Sequence, residues 1–300
     1  MADNLKAIHT YSDPGLDKQE FYKYDLSVRL HPDGFSYCIF DSNTNKYLHL
    51  QAFDLSDPGK KIYIPGEPEQ TNTAKLVQLL GHELKWLCEP FNKVRILFEQ
   101  GKSTLVPDVL FSEEEKSSIF DFNVAGGPYQ MADLKHDHLK STNAYVIYHI
   151  PPPITDLAEK YFPGALIYHH SSAIIQSLYL KYRNEDNNNV LFVNTAASHI
   201  DILQIKNKKL DYFNSFLYNT AEDFMYYLIF VVEQLNLNPE NVELVMMGEI
   251  ERHSPLSDLI HKYIRHVRFL ERNSDFKYSF VFDQLPGHYY YNLLNAALCE

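Results

Sequence analysis

Hydrophobic and polar residues follow the same order in both halves of this chain. Each half begins with three short β-rich runs joined by tight turns, such as the Pro- and Gly-containing turn of residues 31–34. The runs of the first half are residues 24–30, 35–40 and 47–53. Those of the second half are residues 190–193, 200–205 and 210–216. This spacing predicts a three-strand meander in each half.

Helices and strands alternate after each meander. Five leucines recur at helical spacing within residues 71–88, where Asn72 or Thr73 can cap a helix. The other elements predicted in the first half are a short helix ending at residue 120, helices 154–161 and 171–182, and strands 93–99, 144–150 and 165–168. Those predicted in the second half are helices 220–235, 255–263 and 287–298 and strands 242–247 and 267–270. This order predicts an α/β fold in which helices cover the faces of a mixed sheet.

The pattern also divides the chain into an arm and two lobes. Residues 1–20 are polar and are expected to form a loose arm. Residues 21–185 are assigned to a first lobe and residues 186–300 to a second, with an Asn-rich linker between them. The closing helix, residues 287–298, is assigned to the second lobe, with packing back on the first lobe as an open alternative.

Composition and charge exclude several classes of protein. The chain has 300 residues, 45% of them hydrophobic, which is ample for a large core. A net charge of −12 disfavours nucleic acid and anionic membranes as partners, because both attract clustered Lys and Arg. Three scattered cysteines indicate free thiols in a reducing compartment, and no apolar run reaches the ~18 residues of a membrane span. These features predict a cytoplasmic protein without a membrane span.

The most informative stretch is the hairpin of residues 190–216, which has the outline of a phosphate-binding hairpin. Its turn contains Ala196 and Ala197, whereas a loop that wraps phosphate usually needs glycines so that bare N–H groups can approach the oxygens. The whole chain contains only 11 glycines, which weakens any phosphate-loop hypothesis. Two interpretations stay open: a degenerate phosphate site, or a tight hairpin that binds no ligand.

Two tandem units of this order resemble the actin-like superfamily, which includes sugar kinases, heat-shock chaperone ATPases, and pilus-assembly and cell-division relatives of actin. More narrowly, the chain resembles a family of bacterial proteins of unknown function with the actin-like ATPase fold. The resemblance covers residues 22–299. It implies two ribonuclease-H-like lobes, each built on a mixed five-stranded sheet with a three-strand meander and flanking helices.

The resemblance also implies which residues would line a nucleotide cleft between the lobes. These positions are Asp25, Ser27, Asn194, Ala196, Ala197, Asp201, Gly248 and Glu249. In relatives, the first phosphate hairpin begins with Asp-x-Gly, the second reads Asp-x-Gly-Gly-Gly-x-Thr-Asp, and the adenosine segment ends in paired glycines. Here the first hairpin lacks its glycine, and the second keeps only its final acid. The adenosine segment has one glycine followed by an acid.

These departures weaken the catalytic interpretation. Asn194 cannot position a magnesium-bound water as an aspartate would. Glu249 would repel phosphate, although it could accept a hydrogen bond from a ribose hydroxyl. Asp25 is equally compatible with a polar position on an edge strand, and residues 248–249 with an ordinary strand-to-helix turn.

Histidines provide the other candidate chemistry. His136 and His138 alternate as metal ligands on one strand face would, and His169 and His170 lie further along the chain. The first pair lies in a weakly patterned segment, and no cysteine cluster supports it. The sequence therefore predicts no metal site.

The function expected from these observations is binding or assembly without ATP hydrolysis. A degenerate actin-like protein would need no cofactor and would present a surface to a cytoplasmic protein partner. Tyr226-Tyr227 and residues 289–291 are candidates for this surface, with packing in the core as the alternative. The alternative is an ATPase or phosphotransferase that uses ATP and Mg²⁺, with Asp25, Asp201 and Glu249 on the metal. A third possibility is a cleft for a different small ligand.

Overall fold

The structure is a computed structural model that describes residues 7–56, 72–99, 102–125, 127–185 and 190–299. Its strands are β1 (Ala7–Ser12), β2 (Asp25–His31), β3 (Gly34–Asp41), β4 (Lys46–Asp54), β5 (Lys93–Phe98), β6 (Ser103–Pro107), β7 (Leu134–Leu139), β8 (Ala144–His149), β9 (Leu166–His169), β10 (Val190–Thr195), β11 (His199–Lys206), β12 (Lys209–Leu217), β13 (Glu243–Gly248), β14 (His266–Phe269) and β15 (Lys277–Tyr278). Its α-helices are α1 (Thr73–Gln78), α2 (Lys116–Asn123), α3 (Pro152–Tyr161), α4 (His170–Tyr182), α5 (Ala221–Gln234) and α6 (Pro255–Tyr263).

The first sheet contains the predicted meander and its parallel extension. Its order is β1-β4-β3-β2-β5-β9, with β15 also beside β4. Strands β2, β3 and β4 pair antiparallel, whereas β5 and β9 add in parallel. Strands β4, β3, β2, β5 and β9 match the predicted mixed five-stranded sheet, and β1 and β15 enlarge it to seven strands.

The expectation of a loose N-terminal arm is wrong for β1. This strand pairs antiparallel with β4, and its exposure alternates along its length. On one face, His9 and Tyr11 lie against Tyr290 and Phe282 from the end of the chain. Composition alone suggested an arm, because the partners that bury this face are distant in sequence. Residues 1–6 lie outside the described residues.

A separate three-stranded sheet, in the order β6-β8-β7, follows the first parallel strand. Strand 144–150 was predicted as one of the alternating strands, but it pairs with β6 and β7 instead. The weakly patterned residues before it include β7, whose Asp137 is buried. Tyr148 and Ser172 donate hydrogen bonds to this carboxylate. Such internal partners explain why the strand lacks a simple apolar alternation.

Two predicted helices are irregular. The segment 71–88 is α-helical only in α1, capped by Asn72 as predicted, and continues as a π-turn (Leu79–Glu83) and a 3-10 turn (Lys85–Cys88). Gly81, a weak helix former, lies inside the π-turn. The predicted closing helix 287–298 is also not an α-helix, since only 3-10 turns form, over Leu293–Leu298. Before these turns, Tyr290 has a positive φ of 52°, which interrupts a regular helix.

The second sheet is the predicted mixed five-stranded sheet, in the order β12-β11-β10-β13-β14. Thr220 and Asp223 form a capping box that begins α5. The chain thus has the two lobes of the actin-like fold. The largest hydrophobic cluster continues between them, since it includes Leu26 of the first sheet and Phe192 of the second. Within the described ranges, no helix is both long and apolar enough to cross a membrane.

Candidate functional site

Alternation along the strands places polar side chains beside the crevice between the lobes. On β2, one face carries Asp25, Ser27 and Arg29, all buried, while the intervening apolar residues join the main core. On β11, His199 and Asp201 share the face of Leu203, which joins the same inter-lobe core. The polar side chains of these two strands therefore pack against other parts of the protein and are shielded from solvent.

Asp25 is occupied by neighbours within the first lobe. Its Oδ1 accepts a hydrogen bond from Asn92 Nδ2 at 2.7 Å, and its Oδ2 forms an ion pair with Arg95 at 3.1 Å. Ser27 is buried opposite Cys38 on β3. Both residues lie where the sequence placed them, on the first meander, but the carboxylate of Asp25 already has two partners.

Arg29 connects the lobes and was missed by sequence reasoning. Its guanidinium forms an ion pair with Glu99 at 3.4 Å and another, shorter one with Glu249 of the second lobe. It also lies 5.2 Å from the ring of Tyr290, within cation–π range. Burial alone would lower the pKa of Arg29, but the two carboxylates raise it overall. The available signal was an arginine on a strand whose polar residues alternate with apolar ones.

The second hairpin brings Asn194 and Asp201 directly opposite each other on β10 and β11. Asn194 Nδ2 donates to Asp201 Oδ2 at 2.9 Å, and Ser215 donates to the other carboxylate oxygen. His170, which begins α4 in the first lobe, places Nε2 3.0 Å from Asp201 Oδ2. Asp201 is thus an inter-lobe contact, and each of its carboxylate oxygens has a protein partner.

Electrostatics at this contact favour the charged pair. Burial would raise the pKa of Asp201, but His170 and His199 outweigh burial and lower it. Burial would lower the pKa of His170, whereas the adjacent Asp201 raises it. The pair is buried completely, with side-chain exposures of 0% for His170 and 1% for Asp201. Such a pair is sensitive to removal of either partner.

The turn of the hairpin is closed by its own backbone. Ala196 N–H donates to the carbonyl of His199 at 3.0 Å, and Tyr218 donates its hydroxyl to the carbonyl of Ala196 at 2.6 Å. Ala197 is exposed at the tip. The amide of Ala196, which would have to face phosphate in a binding hairpin, has a protein partner here.

Gly248 lies in close contact with the hairpin. Its φ is +89°, and a Cβ there would lie 2.2 Å from the carbonyl oxygen of Thr195. Its N–H donates to the carbonyl of His288 at 2.9 Å, and Glu249 N–H donates to that of Thr195 at 2.8 Å. The glycine therefore serves the approach of two backbone segments, and Glu249 faces Arg29.

The end of the chain covers the polar face of β2. The turns of Leu293–Leu298 pack on α4 and on strands β2, β3 and β5 of the first lobe. Asn292, fully buried, donates to Glu99 at 2.8 Å, and the Cys38 thiol is 3.7 Å from the carbonyl of Leu293. This segment fills the side of the crevice that an open cleft would leave to solvent.

The histidines separate into two groups. His136 and His138 lie on β7, about one-third exposed, paired with Glu113 and Asp108 respectively. His170 instead lies beside His199, with ring centroids 5.0 Å apart. Sequence reasoning did not bring His170 and His199 together, because His199 comes from the other lobe.

Comparison with known proteins agrees with this architecture. A family described as "Protein of unknown function (DUF3822)" matches residues 13–267. A protein of unknown function with an actin-like ATPase fold, from Bacteroides thetaiotaomicron VPI-5482, is 26% identical with a TM-score of 0.73, covering 85% of this chain and 93% of its own. No curated protein matches the chain.

A more distant structural relative belongs to pilus assembly. The PilM-PilN type IV pilus biogenesis complex is matched at 12% identity with a TM-score of 0.60, covering 91% of this chain and 98% of that one. At this identity the likeness shows the fold alone. The resemblance to actin-like proteins expected from the sequence is confirmed.

Proposed function

We propose, on the premise that this chain belongs to the DUF3822 family of proteins of unknown function, that it is an actin-like binding module that does not hydrolyse ATP. The proposal depends on one observation: the groups at the predicted nucleotide positions are engaged with the protein itself. Arg29, Glu249 and Asp201 carry the contacts between the lobes.

The engaged groups include amides and a carboxylate that phosphate and magnesium would need. Phosphate needs bare amides, but those of Ala196 and Gly248 donate to carbonyls of the chain. Magnesium prefers oxygen ligands, but both carboxylate oxygens of Asp25 are held by Asn92 and Arg95. Opening the crevice for ATP would separate the ion pairs between the lobes and expose apolar residues that pack there, such as Leu26 and Phe192.

Mg²⁺-ATP is expected to leave the thermal unfolding of the protein unchanged at millimolar concentration. A ligand at a hundredfold excess over its dissociation constant would stabilise the folded state by about 2.7 kcal/mol. Differential scanning calorimetry with Mg²⁺-ATP, Mg²⁺-ADP and Mg²⁺ alone measures this directly. If nucleotide raises the melting temperature and Asp201→Asn removes the effect, the protein is a nucleotide-binding member of the fold.

The second lobe supplies a surface suited to a protein partner. On α5, Tyr226 and Phe230 stack one turn apart, with Tyr226 65% exposed. Together with Tyr263 of α6 they line a groove of about 490 Å³, which Glu222 and Glu233 border. Exposed aromatics are typical of interfaces, and the acidic border favours a basic, apolar segment of the partner.

A photo-crosslinking residue at Tyr226 is expected to capture a protein with such a segment in the native cell, and one at Tyr22 is expected not to. Tyr22 is a matched control, since it is 58% exposed but lies on the first lobe. Mass spectrometry identifies the crosslinked peptide, which is then synthesised and titrated. If Phe230→Asp leaves the affinity for that peptide unchanged, the groove is not the docking site.

A further inference from the structure

Three ligand-type side chains converge where the lobes meet, and the proposed binding function does not use them as a group. His170, His199 and Asp201 each offer a ligand atom, and all three atoms lie within 4.8 Å of one another. Each residue is at most 2% exposed. His170 comes from the first lobe, whereas the other two lie two positions apart on β11 and so share one strand face.

Two of the three distances between ligand atoms are close to those of a tetrahedral transition-metal site. His170 Nε2 lies 3.0 Å and His199 Nε2 lies 3.7 Å from Asp201 Oδ2. Ligands bound at 2.0–2.2 Å around a tetrahedral zinc ion are about 3.3 Å apart. The third distance, between the two imidazoles, is within 4.8 Å, so metal binding requires side-chain rotations that bring the ligand atoms to this spacing.

An unpartnered nitrogen points to a missing ligand. Both ring nitrogens of His199 and Nδ1 of His170 are buried without a hydrogen-bond partner among the described residues. Leaving a buried polar atom unpaired is costly, and the hydrogen bond between His170 and Asp201 leaves His199 unsatisfied. A cation between the three side chains would bond to the free Nε2 of His199.

The chemistry of the three side chains favours a transition-metal cation. Metal binding needs neutral imidazoles, and the buried carboxylate of Asp201 then keeps a negative charge that His170 and His199 do not balance. A cation between the three side chains would balance that charge. Two imidazoles and one carboxylate suit Zn²⁺ and its first-row neighbours, whereas Mg²⁺ and Ca²⁺ prefer oxygen ligands.

We propose that His170, His199 and Asp201 bind a Zn²⁺-class ion that clamps the two lobes together. The ion would join α4 of the first lobe to β11 of the second, with a water or hydroxide at the fourth position. Zinc binding at this site and the lack of ATP hydrolysis are separate proposals, because neither requires the other.

The test uses the full-length chain without an affinity tag. The protein is stripped with a chelator, and Zn²⁺ is titrated against a chromogenic competitor, with elemental analysis of the loaded protein. We expect one Zn²⁺ per chain and absorption bands of tetrahedral Co²⁺ after substitution. His199→Gln and Asp201→Asn are each expected to weaken binding at least about 100-fold.

The exposed pair on β7 provides a matched control. His136→Gln/His138→Gln removes two histidines near carboxylates at the surface and should leave stoichiometry and affinity unchanged. Circular dichroism shows whether each variant is folded. If His199→Gln does not fold, Asp201→Asn still tests the site, because asparagine has the shape of aspartate. Absence of tight Zn²⁺ binding by the wild-type chain, or its loss in the β7 variant only, would overturn the clamp. In that case His170 and Asp201 form a simple buried ion pair.

Discussion

Replacing Arg29 with methionine is expected to lower the free energy of unfolding by about 3–5 kcal/mol. The side chains of Arg29 and Glu99 are only 5% and 3% exposed, so methionine would leave the Glu99 carboxylate buried without its ion-pair partner. Glu249 would also lose its partner, although its side chain is 31% exposed and can be hydrated. Urea denaturation monitored by circular dichroism measures the loss.

Two further variants identify the cause. Arg265→Met removes an ion pair with Glu240 whose side chains are 67% and 68% exposed, and its expected cost is below about 1 kcal/mol. Arg29→Met combined with Glu99→Gln should recover a large part of the loss, since the unpaired charge is gone. An equal cost for Arg29→Met and Arg265→Met would show that the crevice is open to water.

Gly248→Ala is expected to destabilise the protein by about 3 kcal/mol or more. The φ of +89° is unfavourable for any residue with a Cβ, and the new methyl group would lie 2.2 Å from the carbonyl oxygen of Thr195. Because the obstacle is backbone, relief requires moving β10 away from β13. Denaturant unfolding and the crystal structure of the variant measure cost and displacement.

Gly164→Ala separates strain from crowding. Gly164 has a similar φ of +77°, but a Cβ there meets no atom within 4 Å. Its substitution should cost only the backbone strain, about 1–2 kcal/mol. If both substitutions cost the same, the approach of Gly248 to the hairpin is not as close as described.

Sequence reasoning located the elements well where periodicity is local. The boundaries of α6, residues 255–263, agree with the structure, and the strands of both meanders differ by a few residues at most. It was wrong for β1 and for the closing helix, because their partners are distant in sequence. Ala7–Ser12 reads as polar until its inward face meets Tyr290, and residues 287–298 are shaped by the crevice they fill.

At the candidate site, too, the sequence indicated the local elements but not the contacts between distant residues. The sequence indicated the meanders and the hairpin that carries Asp201, and it showed that phosphate-loop glycines are missing. It did not indicate the role of Arg29, whose partner Glu249 is 220 residues away, or bring His170 to Asp201. Which side chains of a strand face inward follows from the alternation of polar and apolar residues along it.

By itself, the sequence determined the order of strands and helices, since backbone periodicity and turn residues act over a few positions. Only the tertiary structure decided which charges meet, because the contacts depend on how two separately patterned sheets pack against each other. That packing places Arg29 beside Glu249 and Asp201 beside His170, and it brings the last turns of the chain onto strands β2, β3 and β5.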